Sequence, residues 1–224
     1  MVTKLDTVAE SGLQFFGNMT ASISHEIKNV LAIINENAGL LEDLTLMADR
    51  GVAIEPQRLK NMSQTVMKQV SRADTIVQNM NRLAHSVDES INTIDLNDIL
   101  ELLVTLSTRF ASMRGVGVQS KLNEGPVTLI TSPFFLINLL WLCLDFAMDA
   151  ANEDKIVELG TKKTEAGIEV IFKGIGGLEG APLKPFPAER EKGLCDLLGA
   201  ELEVSTESQE IVIRIAEDID IDRN

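Results

Sequence analysis

Residues 22–41 read SISHEIKNVLAIINENAGLL, and this stretch decides how the first third of the chain folds. Its apolar residues follow one another at intervals of four, three, four, four and three residues. Such intervals place them on one face of an α-helix. They are Ile23, Ile27, Val30, Ile34, Ala38 and Leu41. Because no proline interrupts the chain from Val8 to Ala48, the pattern predicts one long helix over those residues.

A second helix of the same kind is predicted after a short break. Gly51 suits the position just past a helix end, and Pro56 suits the first turn of a new helix. From there apolar residues recur with the same period at Leu59, Met62, Val66, Val70, Ala73, Val77, Met80 and Leu83. Two long helices joined by a short loop form an antiparallel hairpin, and one hairpin cannot bury both apolar faces. We therefore predict that residues 1–90 form a helical hairpin that pairs with a second copy as a dimeric four-helix bundle.

The rest of the chain, residues 91–224, alternates between helix and strand patterns. Helices are predicted from Asp95 to about Gly115, over Pro133–Ala151 and over Glu189–Leu198. Strand candidates are Val116–Leu122, Val127–Ile130, Ile156–Gly160, Ile168–Phe172, Glu201–Val204 and Glu210–Ile215. The mixture predicts an α+β fold, an α/β sandwich in which helices cover one face of a sheet. The acidic tail Glu217–Asn224 is expected to be frayed.

The composition narrows the possible functions. The chain has 34 acidic and 20 basic residues, which gives a net charge of −14. A surface this acidic argues against nucleic acid and anionic membranes as partners. Polar residues interrupt the most apolar run, Pro133–Ala151, and no signal peptide opens the sequence, so we expect a cytoplasmic protein. Cys143 and Cys195 lie in apolar helical contexts and are expected to be buried free thiols.

His25 is predicted to lie on the exposed side of the first helix. At about 100° per residue, it lies roughly 140–160° away from the apolar face. The residues within about 40° of it are polar or small: Asn29, Ala32, Glu36 and Asp43. A neutral imidazole is nucleophilic near pH 7, so an exposed histidine followed by Glu26 can accept a phosphoryl group. Without further context, an ordinary surface histidine remains the alternative.

The segment Ser24–Asn29 resembles the phosphoacceptor box in the dimerisation and phosphotransfer domain of sensor histidine kinases. The family usually has proline after the position of Asn29, where this chain has Val30. The resemblance implies that His25 accepts a phosphoryl group on a ring nitrogen. It implies that Glu26 orients the imidazole and raises its basicity. Asn29 would position a water molecule when a bound partner's acyl phosphate is hydrolysed.

The same resemblance implies a docking face for the receiver domain of a response regulator. On the first helix this face would contain Lys28, Ala32, Asn35 and Glu36. Residues of the second helix that would face the partner are Lys60, Gln64 and Lys68. The regulator itself would carry the magnesium ion, so no metal and no cofactor are expected on this chain.

The second domain resembles the ATPase domain of the same kinases, but with changed chemistry. Ser132–Ala150 is similar to the nucleotide-binding helix of the family, and Leu142 and Phe146 occupy the positions of its two asparagines. Leucine and phenylalanine offer no oxygen to magnesium. The segment Ile171–Gly176 has the spacing of the adenine-binding box, with Phe172 at the position of its aspartate.

The phosphate-binding glycine loop of the family would fall at Pro185–Ala188, which contains no glycine. Proline has no backbone N–H to offer a phosphate. About a dozen residues run from Gly176 to the end of this segment at Ala188, too few for the usual ATP lid. Residues 91–224 are therefore interpreted as a degenerate histidine-kinase-like ATPase domain that does not bind ATP.

These observations together predict a histidine phosphotransferase of a two-component phosphorelay. His25 would accept a phosphoryl group from a response-regulator aspartate and pass it to another regulator, as a homodimer. The alternative is a response-regulator phosphatase or pseudokinase scaffold, in which Glu26 and Asn29 matter more than His25. A third hypothesis is an ATP-dependent kinase with unusual ligands.

Overall fold

The structure is a computed structural model that describes residues 3–122, 125–165, 167–176, 185–205 and 207–216. The predicted frayed tail, Glu217–Asn224, lies outside these residues. So does the whole segment between Gly176 and Pro185, residues 177–184, where the chain was predicted to be too short for a lid. The chain divides into two compact units, one formed by Met19–Arg82 and the other by Met1–Asn18 together with Leu83–Asn224.

The two long helices are present. Helix α1 is Lys4–Asp49 and helix α2 is Pro56–His85. The turn after α1 uses Gly51 at φ +84°, a backbone conformation that glycine adopts without strain. Its N–H donates to the carbonyl of Ala48, which ends the helix as the sequence predicts.

Helix α1 begins about one turn earlier than predicted because of a polar cap. The backbone N–H of Asp6 donates to Thr3 Oγ1, and the N–H of Thr3 donates to the carboxylate of Asp6. This reciprocal pair is a capping box, with aspartate in place of the usual glutamate. The hydrogen bonds from Thr3 lower the pKa of the Asp6 carboxyl, because they favour its ionised form. The apolar pattern alone could not locate this helix start.

The unit Met19–Arg82 has a narrow apolar core. From α1, Ile23, Val30 and Leu44 are buried. Of the six residues predicted to face inward, Ala38 and Leu41 are instead exposed in the single chain. Large apolar side chains remain exposed on both helices of this unit: Leu31, Leu40, Leu41, Leu46, Met47, Leu59, Met67, Val70, Val77 and Met80.

The second unit is a mixed α+β structure. Its helices are α3 (Leu96–Arg114), α4 (Pro133–Asp149) and α5 (Glu189–Leu198). Its strands are β1 (Asn92–Asp95), β2 (Gly117–Lys121), β3 (Thr128–Thr131), β4 (Ile156–Thr164), β5 (Gly167–Lys173), β6 (Ala200–Ser205) and β7 (Glu210–Ile215). The main sheet has the order β2-β4-β5-β7-β6, in which only β2 and β4 are parallel. The mixed fold class predicted from the sequence is confirmed.

A small second sheet was not predicted. Strand β1 pairs with β3 in antiparallel fashion, with Thr93 opposite Ile130. Asp95 ends β1 and also caps α3, because its side chain accepts from the N–H of Asn97 at 3.0 Å. The same carboxylate accepts from the N–H of Val127. The sequence identified the cap but not the strand that leads into it.

The core of this unit lies on one face of the main sheet. Alternate residues of β4, β5 and β7 are buried there: Val157, Leu159, Ile168, Val170, Phe172, Ile211, Ile213 and Ile215. Leu136, Leu140 and Leu144 of α4 are fully buried. Each such side chain contributes roughly 1.5–3 kcal/mol relative to exposure to water. The other face of the sheet carries charged side chains in ion pairs, such as Arg214 with Glu169 and Glu203.

Candidate functional site

His25 lies on the exposed side of α1, as its position in the apolar pattern predicts. The amide Nδ2 of Asn29 lies 3.3 Å from the ring Nδ1 of His25. Residues four apart on a helix share a face, so this contact follows from the spacing of the two residues. Both side chains are accessible to another molecule. An exposed imidazole held by a neutral amide can act as a nucleophile.

Glu26 does not make the contact that the resemblance implied for it. Its carboxylate accepts from Arg72 Nη2 of α2 at 2.8 Å. The Glu26 side chain is 24% exposed and the Arg72 side chain 46% exposed. Adjacent helical residues point about 100° apart, so Glu26 faces the second helix while His25 faces solvent. Arg72 was not identified from the sequence, because the pair joins residues far apart in the chain.

The predicted docking residues share one property. Lys28, Ala32, Asn35 and Glu36 of α1 are all exposed, and so are Lys60, Gln64 and Lys68 of α2. Together with His25 and Asn29, the four residues of α1 define what we call the acceptor stripe. It contains one small residue, two amides and charges of both signs beside the imidazole. Because these side chains are already exposed, another protein can contact them directly.

The positions that resemble a nucleotide site carry aromatic and aliphatic side chains in close contact. Phe146 of α4 stacks on Phe186, with ring centroids 4.2 Å apart and planes at 13°. Phe172 of β5 is fully buried, and Leu142 is 6% exposed. The neighbouring Lys173 forms an ion pair with Glu210 at 3.2 Å. The side chains of Leu142, Phe146 and Phe172 pack against other parts of the protein. They have no oxygen atoms that could bind a metal ion.

The glycine after strand β5 has a structural reason of its own. Gly174 has φ +89°, and a Cβ there would lie 2.0 Å from the carbonyl oxygen of Ile156. Any side chain at this position would collide with backbone. Since the turn itself requires the glycine, its presence gives no support to nucleotide binding.

The start of α1 packs within the second unit, which the sequence did not indicate. Asn138 of α4 donates from Nδ2 to Ser11 Oγ at 3.3 Å. The rings of Phe15 and Phe134 lie 5.8 Å apart. A Cβ on Gly12 would approach the Phe134 ring to 3.0 Å. The small residues in this first part of the helix, which the periodic pattern ignored, allow α4 to approach closely.

A polar cavity of about 210 Å³ lies beside this contact. Its lining includes Gln14, Arg114, Trp141, Asp145 and Arg190. Arg114 is already bound to Asp145 at 2.8 Å, and also to Asp149. Burial raises the pKa of the Asp145 carboxyl, although the guanidinium of Arg114 opposes the shift. The charges of this cavity are therefore largely compensated within the protein.

The ranges that the structure describes contain neither a cluster of metal ligands nor a membrane-spanning helix. No group of three or more histidine, cysteine, aspartate or glutamate side chains is arranged to hold a metal ion among those residues. Within the same ranges, every helix is too short or too polar to cross a lipid bilayer.

No family model and no curated protein matches the chain. Among solved structures, the catalytic domain of the histidine kinase ThkA is 9% identical, with a TM-score of 0.48 over 58% of this chain and 99% of that one. The Acinetobacter baumannii histidine kinase AdeS is 13% identical, with a TM-score of 0.46 over 86% and 98% of the two chains. A bacterial phosphotransferase is 14% identical, with a TM-score of 0.45 over 90% of this chain and 95% of that one. Likenesses this distant assign no family and no activity to the chain.

Proposed function

We propose that the chain is a histidine phosphotransferase of a two-component phosphorelay. His25 takes a phosphoryl group from the aspartate of a response-regulator receiver domain and passes it to a second receiver. In the first step a ring nitrogen attacks phosphorus, the N–P bond forms, and the P–O bond to the aspartate breaks. The aspartate oxygen keeps the electron pair, and the second step reverses these events on another receiver.

The observation that carries the proposal is the exposed imidazole of His25, with the Asn29 amide beside it and the acceptor stripe around it. Phosphoryl transfer requires positioning and charge neutralisation more than covalent chemistry from the protein. A receiver domain would bring the aspartate and the magnesium ion. This chain then needs only a nucleophile and an accessible face.

A homodimer is part of the proposal. The exposed apolar residues of Met19–Arg82 lie on both long helices, and Met67, Val70 and Leu31 are each more than half exposed. A second hairpin would cover them and complete a four-helix bundle. A second hairpin that packs on the apolar faces would leave each His25 on the opposite, exposed side of α1.

The second unit is proposed to be a degenerate ATPase domain that works without ATP. The stacked rings of Phe146 and Phe186, and the buried ring of Phe172, support this part of the proposal. Each hydrogen-bond partner that a nucleotide loses weakens its binding by roughly 1–3 kcal/mol. Replacement at several positions therefore favours transfer from a receiver over phosphorylation from ATP.

Transfer assays test the proposal directly. A receiver domain labelled on its aspartate phosphate is mixed with the full chain and with His25→Ala. We expect acid-labile, base-stable label on the wild-type chain and none on the variant. Free phosphate released at the same rate by both chains would contradict the proposal. It would favour the alternative function, a receiver phosphatase in which the exposed Asn29 amide acts on water.

A further inference from the structure

We propose that Asn29 is the positioning residue of His25, and that Arg72 keeps Glu26 from taking that role. The inference rests on the proposed function of His25 as the phosphoacceptor. It reassigns the duties that the resemblance gave to Glu26 and Asn29.

The imidazole has an amide partner at its Nδ1. Asn29 lies one turn beyond His25 on the same face of α1, with the amide nitrogen 3.3 Å from that ring atom. Residues four apart on a helix are neighbours, whereas adjacent residues diverge. The helix therefore places Asn29, and not Glu26, against the ring.

Glu26 has a partner on the other helix. Arg72 donates to its carboxylate at 2.8 Å, a charge-assisted hydrogen bond between oppositely charged groups. To reach the imidazole of His25, the carboxylate would have to leave this guanidinium. Arg72 therefore acts on His25 only indirectly, by occupying the side chain that would otherwise compete for the ring.

An amide and a carboxylate differ in what they can do for an imidazole. An amide has a donor end and an acceptor end, whereas an ionised carboxylate only accepts. With Nδ2 of Asn29 facing the ring, Nδ1 of His25 accepts and the ring proton lies on Nε2. When the amide turns, Oδ1 accepts from the Nδ1–H and Nε2 has a free electron pair. Asn29 can thus hold the ring in both tautomers.

Both tautomers have a use in a reversible relay. Before attack, the exposed ring loses the proton of Nε2 to water and takes one from water on Nδ1, and the turned amide of Asn29 accepts from the new Nδ1–H. Attack by Nε2 then forms the N–P bond as the P–O bond to the aspartate breaks, and the ring proton stays on Nδ1. After the phosphoryl group departs, the reverse exchange with water returns the proton to Nε2 and the amide to the donor arrangement of the structure.

The ring tautomer can be measured without any transfer reaction. The full chain is prepared with nitrogen-labelled histidine, and His85→Gln identifies the signal of the other histidine in two-bond proton–nitrogen spectra. We expect the proton of unphosphorylated His25 on Nε2 in the wild type and on Nδ1 in Asn29→Asp. We expect no change in Glu26→Gln. Asn81→Asp adds the same charge at another exposed position of the hairpin and should leave the ring unchanged.

The opposite pattern of spectra would overturn the inference. That pattern is a ring tautomer that responds to Glu26→Gln and ignores Asn29→Asp. Because the spectra need no phosphodonor, they remain decisive even if the chain takes no phosphoryl group and the proposed function fails.

Transfer kinetics supply the second readout. Asn29→Ala keeps a good helix former at an exposed position, so the fold should persist. We expect about a tenfold lower maximal rate with an unchanged KM for the receiver, because orientation and not docking is lost. A raised KM with an unchanged maximal rate would make Asn29 a docking residue and contradict the positioning role.

Discussion

The acceptor stripe and the region formed by α4 and β5, which we call the packed region, use their side chains in opposite ways. Around His25 the helix presents amides, charges and one alanine, all exposed to solvent. In α4 and β5 the positions singled out by the resemblance hold Leu142, Phe146 and Phe172, of which the last is fully buried. The acceptor stripe exposes functional groups to solvent, whereas these positions of α4 and β5 pack against other side chains. Apolar contacts at these positions stabilise the fold around them, because they remove hydrophobic surface from water.

The largest expected effect comes from introducing a carboxylate into the packed region. Phe172→Asp removes a fully buried ring and introduces a charge at 0% exposure. Loss of a buried phenylalanine alone destabilises by about 3–5 kcal/mol, and a buried unpaired charge adds to this. We expect the chain to lose most of its stability in urea unfolding followed by circular dichroism.

His25→Gln is the matched substitution in the other region. It changes an exposed helical side chain and should alter stability by no more than about 0.5 kcal/mol. Equal destabilisation by His25→Gln and Phe172→Asp would break the contrast between an accessible region and a packed one.

The two thiols on helices α4 and α5 should be slow to react. Cys143 of α4 and Cys195 of α5 are both free and buried. Burial, with a smaller contribution from Glu191, raises the pKa of the Cys195 thiol to about 11. At pH 8 the reactive thiolate is then about a hundredfold scarcer than for a thiol with pKa 9.0, the reference value. Disulfide-exchange reagents should modify Cys195 at least a hundredfold faster in denaturant; equal rates would contradict its burial.

The same pKa shift predicts how stability depends on pH. A thiol whose pKa is raised in the folded state binds its proton more tightly there than in the unfolded chain. Its contribution to stability is complete below pH 9 and is lost as the pH rises towards 11. Cys195→Ser should flatten the decline of stability between these values, as measured by urea unfolding at several pH values. An unchanged slope would show that the thiol is not the titrating group.

The stacked rings of Phe146 and Phe186 should contribute less to stability than the buried ring of Phe172, and their two contributions should be coupled. Phe146→Leu and Phe186→Leu keep apolar volume but remove the parallel rings. A double-mutant cycle should give a coupling free energy of about 0.5–1.5 kcal/mol. Phe16→Leu, at a half-exposed ring elsewhere, serves as the control and should show no coupling with Phe146→Leu. The absence of coupling between Phe146 and Phe186 would show that their stacking does not stabilise the packed region.

The smallest expected effect is the coupling free energy of an ion pair in the helical hairpin. Glu26 and Arg72 form a partly exposed ion pair, so a cycle of Glu26→Gln and Arg72→Gln should give about 0.2–1 kcal/mol of coupling. Added salt should reduce it, because exposed charges are screened. Glu26→Gln with Lys28→Gln is the control pair, since residues two apart do not face each other. Coupling well above this range would give the pair a larger structural role than its exposure allows.

The sequence predicted most of the elements because they depend on local periodicity. The long helices follow from apolar spacing, the end of α1 from Gly51, and the start of α3 from the cap at Asp95. The earlier start of α1 was not predicted. Its capping box consists of two polar side chains, Thr3 and Asp6, which do not contribute to the apolar pattern. Strand β1 was not predicted because its sequence, NTID, contains one large apolar residue, Ile94, and therefore shows no alternating pattern.

The site was predictable in its positions and less so in its contacts. The exposure of His25 follows from helix geometry, and so does its proximity to Asn29. The ion pair of Glu26 with Arg72 depends on how two helices are placed, which no local pattern specifies. The stack of Phe146 on Phe186 likewise joins distant residues through tertiary packing.

One labelling experiment distinguishes the two possible sources of the phosphoryl group. The full chain is incubated in parallel with two phosphodonors, labelled ATP with magnesium and a labelled phospho-receiver domain, and the label on His25 is measured. We expect label from the receiver and none from ATP, with both signals absent in His25→Ala. Label transferred from ATP to His25 would show that the chain uses a nucleotide, and would contradict the proposed function.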